Sequence, residues 1–501
     1  MNVRSEIVLD TDILQIVPQE YVDSYVPASL NREALYMQLH KYDLNEPNYD
    51  REAFKRATVW LRRHFFQFVN LSEIISFEEA VGLQTASTSP GPLYRKYYDN
   101  KGVMAADPQG MKVLRDFSNL MKECGGCETY WGGILKDELR PKAKVLANKT
   151  RLFTSCSMPM CVVTAQVCHG FNKKFIDTAL QSSSCVGVSK FNGGFNNIFS
   201  HLSTFKTGNG LDGTNFDGSI FTDMFWEIAQ FRYECLSSND QREYGYMLCN
   251  VYDSITQSIM ILADGLCVQK LFGNPSGSFN TIVDNTLSSF IIFAYLWIRL
   301  GFDWSHFNSN VRLALVGDDN TFTVSDRILE YINSNFTKCL SIIHELGFTF
   351  TASNPQLVPL AQLDFLSHTV FRECGMWLPL ANINKLWCSA CYAPRRPSDF
   401  GFRMLRLCAL RVEGYYNTEF RVIISNFIQQ SMPRLVRSRF RRLVLASFLP
   451  DSIIVSLYRG DESAREFSKL FVFLRSIISF SESESGFVMS VPTLKSLGIH
   501  G

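Results

Sequence analysis

Apolar positions change their spacing along this chain, and the changes divide it into three regions. In the first 200 residues, helix-like segments such as REAFKRATVWLRRHFFQFV alternate with loops rich in Gly, Pro, Ser and Lys. From about 213 to 375 the apolar runs are short and strand-like, with helical segments between them, which predicts a mixed α/β centre. Within it, SIMILADGLCVQKLFG (258–273) has an Asp264-Gly265 pair between two alternating runs and predicts a β-hairpin. The longest apolar run, FIIFAYLWI (290–298), is far short of a membrane span and predicts a buried helix. Beyond about 376 the pattern is mostly helical and more basic. There PRLVRSRFRRLVLASFL (433–449) sets arginines beside a Leu/Val/Phe stripe, predicting an amphipathic helix whose polar face meets solvent or RNA. SFSESESGF (479–487) predicts a solvated loop. No internal repeat is visible.

At 501 residues and 57.1 kDa the chain can bury a large core in several subdomains. Its 46% hydrophobic and 19% charged residues suit a soluble globular protein. A net charge of +1 means that any nucleic-acid site must be a basic channel in a neutral body. The fourteen cysteines lack framework spacing, and the opening MNVRSEIVLDTDILQ carries acids where a signal peptide needs an apolar stretch. Both features predict a reducing, cytosolic setting. The pairs Cys124/Cys127 and Cys388/Cys391 lie far apart in sequence, so free thiols are expected and structural zinc is not.

Two acidic clusters stand out. LALVGDDNTF (313–322) puts Asp318 and Asp319 at the end of a strand-like run, and GNGLDGTNFDGSIF (208–221) puts Asp212 and Asp217 at a strand end and the turn after it. A polar turn accounts for either cluster taken alone. Two-metal phosphoryl transfer instead needs carboxylates from separate segments, holding ions about 3.5–4 Å apart. Asp212 and Asp318 meet that need if the fold joins their segments.

Between the clusters, GNPSGSFNTIVDNTLSS (273–289) offers Gly277 for a tight turn and Ser276, Thr281 and Asn285 as small polar groups. A helix would put Thr281 and Asn285 on one face. A ribose 2′-hydroxyl both donates and accepts, and Asn285 with Asp217 suits it; for Ser276 a helix N-cap is the alternative. Upstream, LKDELRPKAKVLANKTRLF (135–153) concentrates Lys136, Arg140, Lys142, Lys144, Lys149 and Arg151. The alternation predicts an extended ribbon with Lys149 and Arg151 on one side, serving either as a triphosphate clamp or as a solvated hairpin. TASTSPGPLYRKYYDNKG (85–102) adds a Ser-Pro-Gly-Pro turn followed by aromatics and cations, which suits a passing single strand.

Taken in order, TSPGP, KDELRPKAKV…NKTRLF, DGTNFDGSI, GNPSGSFNTIVDNTL, VGDDN and LDFLSH (363–368) resemble the finger and palm motifs of viral RNA-dependent RNA polymerases. The wording is closest to the picornavirus-like supergroup, on its potyvirus–astrovirus side; NKTRLFT, GVSKFNGGFN (187–196), VDNTL and FLSH resemble the potyvirus replicase in particular. The resemblance spans about residues 85 to 370. It implies an α+β cupped right hand whose antiparallel palm sheet carries the Gly-Asp-Asp hairpin. The implied divisions are fingers with an N-terminal extension (1–206), palm (207–234), fingers return (235–270), palm (271–375) and thumb (376–501).

The same resemblance implies that Asp212, Asp318 and Asp319 are catalytic and bind Mg²⁺, with Mn²⁺ able to substitute. Asp217, Ser276, Thr281 and Asn285 would position and check the ribose. Lys136 and Arg151 would hold the triphosphate, and Arg140, Lys144 and Lys149 would line its entry path. Thr88, Ser89, Gly91 and Gly277 would contact RNA, with Ser367 and His368 in a primer-grip hairpin. Implied partners are template and nascent RNA, ribonucleoside triphosphates, and a protein primer or other viral replication proteins, in host cytoplasm or virion.

Two departures stand. LGFTFTASNPQLVP (346–359) lacks the lysine that relatives offer the leaving pyrophosphate, leaving His344, Lys338 or bound water for that role. Val316 replaces a tyrosine common in relatives, at a position that needs only a β-former. A reverse transcriptase would share the aspartates but usually excludes ribose with a bulky side chain, whereas Asp217 and Asn285 can bond to it. A polymerase-shaped RNA-binding protein without catalysis is the other alternative.

Overall fold

The computed structural model describes residues 5–42, 46–395 and 399–477, so SFSESESGF lies outside the described residues. The chain forms a mixed α+β fold with several separate sheets and many helices.

The helix Thr281–Arg299 organises the centre. It is apolar nearly all round, and 83% of its most apolar stretch is buried, as a core helix requires. It packs along Arg51–Val69, the helix predicted from REAFKRATVWLRRHFFQFV. There Asp50 caps the first turn by accepting from Ala53 N (2.9 Å), and Phe54, Ala57, Leu61 and Phe65 recur on the buried face. One ion pair is sealed into this core. Arg232, from helix Thr222–Glu234, donates to Asp284 at 2.7 Å, and Tyr252 of helix Ser238–Thr256 donates to the same carboxylate at 3.0 Å. Arg232 and Asp284 are 2% and 0% exposed, so removing either partner would strand a buried charge.

Against Thr281–Arg299 lies a five-stranded antiparallel sheet. Its order is Thr349–Ala352, Thr207–Thr214, Asp319–Val324, Val311–Val316, with Val358–Pro359 also pairing to Thr207–Thr214. A second sheet has the order Leu152–Cys156, Tyr130–Leu135, Ile259–Leu262, Cys267–Gln269. In it the Asp264-Gly265 hairpin forms as predicted, and Tyr130–Gly133 runs parallel to Ile259–Leu262. The strands His368–Glu373 and Met376–Ala381 make a separate hairpin.

Beyond residue 381 the chain is mostly helical around its own core of Trp387, Phe402, Leu405, Phe420, Ile424 and Leu457. Residues from the other end of the chain complete that core. Ile7–Leu9 pairs antiparallel with Tyr392–Pro394, and Ile7, Ile13 and Val17 are buried there.

Two predicted elements differ. The segment 433–449 is not one helix but a 3₁₀ turn, Met432–Arg437, followed by a helix, Arg441–Ser447. Ser438, at the break, turns its hydroxyl to Asp399 (2.7 Å) and packs on Gly401, which pins a corner between the two pieces. The basic ribbon is not continuously extended: Lys142–Leu146 is a short helix between the strands Leu139–Pro141 and Leu152–Cys156.

Candidate active site

The Gly-Asp-Asp sequence forms a tight turn. Asp319 pairs with Val316, leaving Gly317 and Asp318 as the two turn residues, and Gly317 takes φ +65°. Glycine at the first central position is what such a hairpin turn favours. The turn is fastened to the core helix beneath it: Gly317 N–H donates to Thr286 Oγ1 (2.8 Å), and Ser289 Oγ donates to Gly317 O (2.6 Å).

Sheet pairing brings the second acidic cluster alongside. Asn320, next to the turn, lies opposite Leu211, which precedes Asp212. The Asn320 side chain donates to Leu211 O (2.8 Å) and Asp318 O (2.9 Å) and accepts from Leu211 N (3.1 Å). It therefore fixes the strand bearing Asp212 to the turn bearing Asp318. The carboxylates feel one another. Burial, then Asp319, Asp217 and Asp212, raises the Asp318 pKa to about 6; burial, then Asp212, raises that of Asp319. Protein flanks both side chains, yet their surfaces remain open to solvent, which screens the repulsion.

Oxygen donors with uncompensated charge suit a hard divalent cation. No three His, Cys, Asp or Glu side chains among the described residues stand in a geometry that would hold an ion. The donor set therefore suits magnesium in its chemistry, while its arrangement among the described residues is not that of a formed ion site.

Asp217 sits in the short helix Phe216–Ser219 and accepts from Asn285 Nδ2 at 2.6 Å. Thr281 and Asn285 both lie on the Thr281–Arg299 helix, as predicted, and Thr281 donates to Pro275 O (2.9 Å). Ser276 does not cap that helix; its Oγ accepts from Thr154 N (3.1 Å), on strand Leu152–Cys156. Gly277 serves close approach rather than an unusual turn, since a Cβ there would stand 2.0 Å from Thr154 O.

The cations converge on an acid. Glu138, 8% exposed, accepts from Arg151 Nε (2.5 Å) and from Arg151 Nη2, with Lys136 at 3.7 Å and Arg140 at 3.8 Å. The bond to Glu138 raises the Arg151 pKa, and the charges of Asp318 and Asp217 add to the effect. Arg151 therefore stands near enough to the acidic cluster to feel its charge. Lys142 pairs with Asp23 (3.2 Å), and Lys144 and Lys149 are exposed.

Comparison with known proteins decides the family. The family described as viral RNA-dependent RNA polymerase matches residues 7–420. The chain belongs to that family. A polyprotein of Barley mild mosaic virus (strain Na1) is 31% identical over 347 residues, covering 66% of this chain and 15% of the relative. One from Brome streak virus (strain 11-Cal) is 27% identical over 468 residues, 92% of this chain and 14% of the relative. The chain thus spans about a seventh of these polyproteins. Among solved structures, a Sicinivirus 3Dpol RNA-dependent RNA polymerase shares the fold at a TM-score of 0.69 and 15% identity, over 89% of this chain and 96% of that one. The resemblance read from the motifs, including its potyvirus side, is borne out.

In this viral polymerase family member the remaining predicted site residues lie outside the aspartate cluster. Thr88 and Ser89 bond within their own turn, and a Cβ on Gly91 would stand 2.7 Å from Cys156 O, so that turn rests on the Leu152–Cys156 strand. His368 is packed in. Its Nε2 lies 3.0 Å from Lys190 Nζ, and burial with that lysine lowers its pKa to about 4. Ser367 accepts from Lys385 Nζ (2.6 Å).

Sequence reading passed over Glu138, Asn320, Asn274, Thr286 and Lys41. Lys41 lies near Asp217 and Arg151, and burial lowers its pKa to about 8. Asn320 and Glu138 stood inside quoted motifs, where their polar character was the available signal; Lys41 had none.

Proposed function

We propose that this chain copies an RNA template by joining ribonucleoside triphosphates, with Asp212, Asp318 and Asp319 as the catalytic carboxylates. The observation that carries the reading is the junction at Asn320, which ties the strand bearing Asp212 to the turn bearing Asp318, with Arg151 near enough to feel the charges of Asp318 and Asp217. Residues 207–234 and 271–375 form the palm, 1–206 and 235–270 the fingers, and 376–501 the thumb. The parallel pairing of 130–133 with 259–262 supports assigning the second fingers segment to the first.

Asp212, Asp318 and Asp319 would hold Mg²⁺, or Mn²⁺ in its place, which when bound activates the attacking hydroxyl and stabilises the departing pyrophosphate. The protein's own part is placement. Arg151 and Lys136 orient the triphosphate and Arg140, Lys144 and Lys149 line its entry path, while Glu138 keeps the Arg151 fork extended. Asp217 and Asn285 take the ribose 2′-hydroxyl, the one as acceptor and the other as donor. Template and product RNA pass the turn at Thr88–Gly91, Gly277, and the hairpin begun by Ser367 and His368. A protein primer or other viral replication proteins remain partners of this proposal.

Primer extension with Mg²⁺ or Mn²⁺, offering ribonucleotides and deoxynucleotides in separate reactions, tests it. Extension with ribonucleotides, lost in Asp212→Asn, is expected. Equal use of deoxynucleotides would favour a reverse transcriptase; no extension with either metal would leave an RNA-binding protein.

A further inference from the structure

We propose that Asn274 is a specificity-determining positioning residue: it fixes which end of the Asn285 amide faces Asp217, and thereby sets the preference for ribose. The inference rests on the ribose role given above to Asp217 and Asn285.

Asn274 is fully buried, and it holds both members of that pair. Its backbone N–H donates to Asp217 O (2.6 Å), and its side-chain Nδ2 donates to Asn285 Oδ1 (2.9 Å). Asn285 Nδ2 in turn donates to Asp217 Oδ1 (2.6 Å). The polarity of this relay follows from chemistry. An ionised carboxylate only accepts, so Asn285 must turn its NH₂ toward Asp217 and its Oδ1 away. That oxygen needs a donor, so Asn274 must present its own NH₂. With Asn274 in place, the pair keeps one order: an N–H on Asn285 and carboxylate oxygens on Asp217. A 2′-hydroxyl, donor and acceptor at once, finds a complement to both of its functions.

The surrounding turn is braced beyond what a surface loop needs. Gly273 takes φ +81°, and a Cβ there would stand 2.8 Å from Asp217 O. Gly273 N–H donates to Ile220 O (2.8 Å). Lys270, 2% exposed, donates through Nζ to Gly273 O and to Ile255 O, both at 2.6 Å. Asn274 Oδ1, by contrast, is buried with no hydrogen-bond partner among the described residues. The hydrogen bonding of its side chain within the protein therefore runs through the NH₂ end.

Steady-state single-nucleotide incorporation on a preformed primer–template tests this. The full chain, Asn274→Ala, Asn274→Ser and Asn285→Ala are each offered a ribonucleotide and its 2′-deoxy counterpart, and thermal melts report folding. The ratio of kcat/KM values, ribo over deoxy, should fall several-fold and up to about tenfold in all three variants, the worth of one neutral hydrogen bond. The loss should come from the ribonucleotide. If Asn285→Ala lowers the ratio while both Asn274 variants keep it, the inference is overturned and the ribose reading stands. If Asn285→Ala also keeps it, the ribose reading fails and takes the inference with it. Equal losses for both sugars, or failure of both Asn274 variants to fold, would make Asn274 a core residue with no part in specificity.

Discussion

Arg151 and Glu138 form a two-pronged ion pair within reach of the charges of Asp318 and Asp217. The arginine expected to hold the triphosphate is itself held by a neighbouring acid, which also gathers Lys136 and Arg140. Such a clamp pre-orients the fork and lowers the ordering needed when a triphosphate arrives. Glu138→Gln keeps the shape and removes the charge. We expect kcat for nucleotide addition to fall roughly tenfold, about 1.4 kcal/mol of barrier, with KM equal to or below the wild-type value because one repelling charge is gone. Arg151→Ala should instead raise KM as well as lower kcat. Unchanged kcat in Glu138→Gln would show that the clamp has no part in orientation.

Asp318 links activity to metal-free stability. Its carboxyl titrates near pH 6 in the fold, above the usual carboxylate range. The protonated form is therefore favoured by folding. Its contribution is fully present below about pH 3.8 and is lost as pH rises through about 6. Asp318→Asn should melt above the wild type at about pH 8 without divalent cation, by less than about 1 kcal/mol since solvent screens the site. The difference should vanish at about pH 4, and adding Mg²⁺ should raise the wild type more than the variant. Synthesis should fall by at least about 10³-fold, or roughly 4 kcal/mol of barrier. A variant that melts below the wild type at pH 8, or that still elongates, would refute the assignment.

Thr286, fully buried, supports the turn from below. Thr286→Val preserves volume but leaves Gly317 N–H, buried under the turn, without its partner, at a cost of about 1–3 kcal/mol. We expect a lower melting temperature and a lower kcat, with little change in nucleotide KM, while Thr286→Ser stays close to wild type. A Val variant with full kcat would mean that the turn needs no fastening.

His64 gives the fold an acid limit. Its ring stacks on Phe290 (4.6 Å between centroids), Ser183 N–H points to its Nε2, and burial lowers its pKa to about 4. A depressed histidine contributes stability that is present above about pH 6.5 and is lost as pH falls toward 4. The loss is at most about 3.5 kcal/mol, since each tenfold change in proton affinity is worth about 1.4 kcal/mol. His64→Phe should narrow the gap between melting temperatures measured at about pH 7.5 and about pH 4.5. An unchanged gap would place the acid sensitivity elsewhere.

Local chemistry made part of this molecule readable in advance. Gly317-Asp318 and Asp264-Gly265 mark turns because their neighbours alternate, and Arg51–Val69 announces itself by helical spacing. What escaped depends on partners distant in sequence. Glu138 reads as one more charge in a basic stretch until the chain folds its cations around it. Asn274 gains a role only when Asp217 and Asn285, 57 residues before it and 11 after it, meet at its side. The helical stripe of 433–449 was real, but its direction is broken at Ser438 by Asp399, which no local pattern could signal. The lysines of 142–146 alternate as a strand would, yet a single helical turn placed them otherwise.

The strand Ile7–Leu9 is made well before the strand it pairs with. Its pairing partner, Tyr392–Pro394, leaves the ribosome only after nearly four hundred further residues. At about 5–20 residues per second, that delay is roughly 20–80 s. Throughout it, Ile7, Ile13 and Val17 have no core to enter, because the helices that bury them have not been synthesised. The C-terminal core therefore cannot close while the chain is still being translated past residue 392, and an apolar N-terminal segment stays available to holding chaperones during that time. Whatever delays residues 386–477 also delays Ile7, Ile13 and Val17.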